Sequence, residues 1–74
     1  MLIFTQHALS KLKQRGIPKV FVAATLRNPD VKSKGYSNRK VAYKKFGKFY
    51  LKVIFRSEDN DAIVITQYWT EIIK

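Results

Sequence analysis

The spacing of hydrophobic and polar positions changes its period near residue 30. From Gln6 to Arg15 the apolar Ala8, Leu9 and Leu12 share a helical face, Thr5 stands where a side-chain oxygen caps a helix, and Gly16 follows where a helix ends in a left-handed residue. That spacing predicts a first helix. Pro18 suits the opening position of a second, in which Val20, Phe21, Val22, Ala23, Ala24 and Leu26 are apolar on nearly all sides until Asn28 and Pro29 stop the run. This second helix is expected to be the more buried.

From Val31 onward the period is two, as in half-buried strands: a weak strand from Val31 to Lys34, then Arg39 to Phe46, Phe49 to Arg56 and Ala62 to Trp69. Phe46-Gly47-Lys48 reads as a tight hairpin connection, and Ser57 to Asp61 as a longer acidic one. In the Phe49 to Arg56 strand, Phe49, Leu51, Val53 and Phe55 point to one side and Tyr50, Lys52, Ile54 and Arg56 to the other. In the last strand the bulkier Ile63, Ile65 and Trp69 are expected to face the helices, leaving Ala62, Val64, Thr66 and Tyr68 on the far side. The expected fold class is α+β, with two N-terminal helices packed on a three- to four-stranded antiparallel sheet. Residues 1–74 are read as a single domain, because a chain this short buries only about 60% of its unfolded surface and builds one core.

Composition adds charge to this outline. Fifteen Lys and Arg stand against five Asp and Glu, giving a formal net charge of +10 on 74 residues. Such an excess repels itself, and a polyanionic partner relieves it. The 46% apolar and 14% aromatic content is that of a folding chain, not a disordered one. With no cysteine there are neither disulfides nor thiolate ligands, which fits a reducing cytosol. The apolar start Met1-Leu2-Ile3-Phe4 is too short for a signal peptide or a membrane span, so a cytoplasmic protein is expected.

Charge and pattern meet on the hairpin. Lys52 and Arg56 share a strand face with Tyr50, and Thr66 and Tyr68 fall beside them. Cations interleaved with rings suit both the phosphates and the unpaired bases of single-stranded nucleic acid. Arg39 and Lys44 add cations on the neighbouring strand. The bland alternative is a solvated, Lys-rich sheet face that blocks edge pairing. His7, the sole histidine, shares a polar stripe of the first helix with Ser10, Lys11 and Gln14, with Arg15 at its border. It reads either as surface decoration or as a proton-transfer group beside phosphate-binding cations. Glu58, Asp59 and Asp61 lack the ligand spacing of a calcium loop, and no phosphate loop or nucleophile elbow is present, so no metal or cofactor is expected.

The ordered set Phe4-Thr5-x-His7-Ala8-x-x-Lys11-Leu12-x-x-Arg15-Gly16-Ile17, Asn28-Pro29-Asp30, Leu51-Lys52-Val53-Ile54 and Ile63-Val64-Ile65-Thr66-x-Tyr68 resembles a small prokaryotic family of uncharacterised domains. That family is grouped with the RelE, ParE and BrnT toxins and, more distantly, with barnase-like and colicin-type ribonucleases. The resemblance implies a metal-independent ribonuclease toxin encoded beside an acidic antitoxin. Its functional positions would be His7, Lys11, Arg15, Thr66 and Tyr68, with Lys11 standing where arginine is at least as common. Together the residues and the resemblance give an expectation of an RNA-binding domain that cleaves RNA through its own 2′-hydroxyl. Arg39, Lys44, Tyr50, Lys52 and Arg56 would form the nucleic-acid-binding set. Two alternatives stand beside it: a noncatalytic nucleic-acid-binding module, and a toxin-like inhibitor of a protein target.

Overall fold

A computed structural model describes residues 1–73. The element order is β1 (Leu2–Phe4), α1 (Gln6–Arg15), α2 (Lys19–Arg27), β2 (Val31–Lys34), β3 (Lys40–Phe46), β4 (Phe49–Glu58) and β5 (Asp61–Thr70), and the strands form one sheet in the order β1-β5-β4-β3-β2. The α+β class holds, but the expected arrangement is corrected. A strand precedes the helices, and β1 pairs with β5 in parallel, so the sheet is five-stranded and mixed instead of a three- to four-stranded antiparallel one. Three residues show too little alternation to register as a strand, and their pairing partner lies some sixty positions away.

Both helices lie on the sheet face that carries Leu51 and Val53 of β4. These two side chains, with Ala8, Leu12, Ile17, Val22 and Val64, make the core. The α1 boundaries follow from its caps. Thr5 Oγ1 accepts the Ala8 N–H at 3.1 Å, and Gly16 ends the helix at φ +63°, where its N–H and that of Ile17 reach back to the last carbonyls. In α2, Pro18 is the N-cap and not the first helical residue, and Val20 is 68% exposed. The second helix is therefore not buried on all sides. Its inward positions are Val22 and Thr25, whose hydroxyl donates to the Phe21 carbonyl one turn back at 2.8 Å.

A register shift between Ile54 and Phe55 corrects the expected facing of β5. Past this bulge the alternation of β5 is reset against β4, so Val64 enters the core and Ile63 sits opposite Arg56 on the open face. Before it, Gln67 and Trp69 face the helices: Gln67 is fully buried with Nε2 donating to the Ala8 carbonyl at 2.9 Å, and Trp69 stands edge-on to Phe21 and Phe46. No helix among the described residues is long and apolar enough to cross a membrane.

Candidate nucleic-acid interface

The sheet face away from the helices carries no helix and is open along β4 and β5, whereas Val41 and Tyr43 of β3 are buried on it. Strand register places Tyr43, Lys52 and Tyr68 in one row across β3, β4 and β5, and Val41, Ile54 and Thr66 in the next. The Lys52 ammonium lies between two rings, 5.6 Å from the centre of Tyr43 and 5.4 Å from that of Tyr68. Its pKa is raised above the ordinary 10.5, first by hydrogen bonding with the Tyr68 phenol, with partial burial opposing and Tyr43 adding to the rise. Lys52 is a fixed positive charge.

The fourth member of the row comes from a helix. Because β1 covers only Ala62 to Val64, the outer edge of β5 beyond them has no strand partner, and α1 lies along it. Edge carbonyls that would otherwise be orphaned are met from α1 and its cap: Thr5 Oγ1 donates to Ile65 O at 3.3 Å and Arg15 Nη1 to Gln67 O at 2.8 Å. From that anchor the Arg15 guanidinium sits 5.6 Å from the Tyr68 ring centre, reaching around the sheet rim to the open face. Two cations thus flank one ring, no more than about 11 Å apart. At the full separation of about 11 Å, beyond the Debye length of about 8 Å at physiological salt, their mutual repulsion is largely screened. A planar fork beside a point charge can receive an anion such as phosphate, the fork offering further N–H donors once one is held by the Gln67 carbonyl.

The other expected residues divide. Tyr50 lies on the open face opposite Lys45 and Thr70, near the β3–β4 turn, and Thr66 is one row from Lys52. Arg56 is on the same face beyond the bulge, its Nε paired with Glu58 Oε2 at 2.6 Å, so part of its charge is already answered. Arg39 borders a cavity that Lys52 also lines. Lys44 does not join them. It is paired with Leu51 on the helix side, where its ammonium donates to the Asn28 carbonyl at 3.0 Å and caps the end of α2. His7 is exposed on α1, and Lys11, one turn on, donates to Gln14 Oε1 at 2.9 Å. With Arg15 these two run along one flank of the helix. Tyr43 was not singled out by sequence, although the signal was there: counting back from the Gly47-Lys48 turn pairs it with Lys52. Among the described residues no group of three or more His, Asp and Glu side chains could hold a metal ion.

The chain belongs to the family described as a domain of unknown function (DUF4258), whose pattern it matches over residues 4–69. No curated protein matches it, and no solved structure does.

Proposed function

We propose that this DUF4258 domain binds single-stranded RNA across its open sheet face and cleaves it without a metal. The observation that carries the reading is the reach of Arg15 around the sheet rim to Tyr68, beside Lys52. Binding needs only this row, with Arg15 and Lys52 for phosphate and the Tyr68 ring for a base, Tyr43 being buried beneath Lys52 at 1% exposure. Cleavage is supported by α1, whose one flank bears His7 and Lys11 and ends at Arg15 beside Tyr68. The resemblance to RelE-, ParE- and BrnT-type toxins supports the same chemistry. It also favours an acidic antitoxin as partner, for which the exposed edge strand β2, with Lys32 and Lys34, offers a place to add a strand.

In this mechanism His7 removes the proton from a ribose 2′-hydroxyl, and the 2′-oxygen attacks the adjacent phosphorus. Arg15 and Lys52 stabilise the charge on the pentacovalent phosphorane, and Tyr68 positions the scissile group between them. The bond from phosphorus to the 5′-oxygen then breaks. The departing 5′-oxygen, on the far side of phosphorus, takes a proton from water while the imidazolium releases its own to solvent, leaving a 2′,3′-cyclic phosphate and a 5′-hydroxyl end.

The test compares the wild type and His7→Ala on one strand made with ribose and again with 2′-deoxyribose. The wild type is expected to cut only the ribose strand and to do so in the presence of chelator. His7→Ala should bind as well but cut about two to four orders of magnitude more slowly. Equal cutting by both proteins removes His7 from the mechanism, and binding without any cutting leaves the noncatalytic module.

A further inference from the structure

Beside the Lys52 row, on the same open face, is a cavity of about 260 Å³ bordered by Tyr36, Arg39, Val41, Tyr43, Lys52 and Ile54. Val41 and Ile54 stand opposite each other in the row next to Tyr43 and Lys52, giving it an apolar floor. One wall is Tyr36, a large ring left 92% exposed in the turn between β2 and β3. Exposing an aromatic so completely forgoes the burial that usually justifies it. The turn that carries it is well defined: Gly35 N–H donates to the Arg39 carbonyl at 2.8 Å, Arg39 N–H donates to the Tyr36 carbonyl at 3.0 Å, and Ser37 and Asn38 both take positive φ, 54° and 63°. Tyr36 is presented on a formed turn.

We infer that this cavity is a nucleobase pocket in which an unpaired base stacks against Tyr36 while its phosphate lies on Lys52. The inference rests on the RNA-binding reading above and adds where a base goes. Tyr36 and Lys52 border the same cavity, so a nucleotide lying in it can reach both with its base and its phosphate. Lys52 belongs to both sites, lining the cavity on one side and touching Tyr68 on the other. Arg39 supplies donors for acceptor atoms on the base edge.

The experiment measures binding of two probes by fluorescence anisotropy competition: a hexanucleotide of adenylates and linear polyphosphate, which has charge but no bases. Tyr36→Ala is expected to weaken the hexanucleotide about five- to a hundredfold, the range of one lost base stack, and to leave polyphosphate unchanged. Tyr36→Phe should restore hexanucleotide binding, since the ring and not the hydroxyl is used. Equal effects of Tyr36→Ala on both probes, or no effect on either, overturn the pocket while the phosphate row stands. A wild type that binds polyphosphate but not the hexanucleotide overturns the pocket and the RNA reading together.

Discussion

Lys52 shows how a neighbourhood turns an ordinary side chain into a dependable charge. Its amine is held above 10.5 chiefly by the Tyr68 phenol, against the opposing effect of burial. For a group whose folded-state pKa is raised, the stability it contributes is complete below the unfolded value and is lost as pH rises through the folded one. The loss therefore begins above about pH 10.5, far from neutrality. The difference in RNA affinity between wild type and Lys52→Ala should accordingly stay constant from roughly pH 6 to 9 in anisotropy titrations. It should also be the same for strands of different sequence, because a phosphate contact carries no sequence information. A Lys52→Ala loss confined to one sequence would show base recognition in its place. At this scale much of the site was legible, since Lys52 and Tyr68 follow from alternation alone. Arg15's place on it was not. A flexible guanidinium reaching around a strand edge depends on where β1 ends, and no local pattern encodes that.

The helix α1 is the element that brings Arg15 to the rim, and its length decides where that side chain stands. That length was readable to the residue because both ends are chemical: Thr5 caps one, and Gly16 closes the other at a positive φ. Nothing lies within 4 Å of where a Gly16 Cβ would be, so Gly16→Ala meets no clash and feels only the cost of the left-handed backbone. It should destabilise the protein by about 1 to 2 kcal/mol in urea unfolding, and Gly16→Asn by less, since asparagine tolerates that region. Equal costs for the two would point to a steric cause. The sheet was legible only in part, for a related reason. The tight hairpin at Gly47 fixes the β3–β4 register locally, whereas the bulge at Ile54 and Phe55 and the parallel β1–β5 pairing arise from contacts distant in sequence. The buried Gln67 belongs with these. A polar residue in a strand reads as outward-facing until the Ala8 carbonyl it serves is brought beside it.

Across the whole molecule the +10 charge is not spread evenly with respect to the proposed RNA face. Arg15, Arg39, Lys45, Lys52 and Arg56 are on or bordering the open side, whereas strand register turns Lys32, Lys40 and Lys44 toward the helix side. Lys44 is moreover committed to the end of α2, and Arg56 shares its charge with Glu58. A strand laid on the open face should therefore neutralise about four to six phosphates, fewer than the net charge suggests. Each phosphate contact with a single strand contributes roughly −0.7 to the slope of log affinity against log salt, so the slope should be about −3 to −4. If the protein acted as a diffuse polycation using its full net charge, the same reasoning gives about −7. Anisotropy titrations from about 50 to 300 mM salt separate the two on slope alone. A slope near −7 would mean that the helix side binds RNA as well and that the open face is not a discrete platform. A slope near zero would mean that the contacts holding the strand are not electrostatic, and the row of Arg15, Tyr68, Lys52 and Tyr43 would then lose its role.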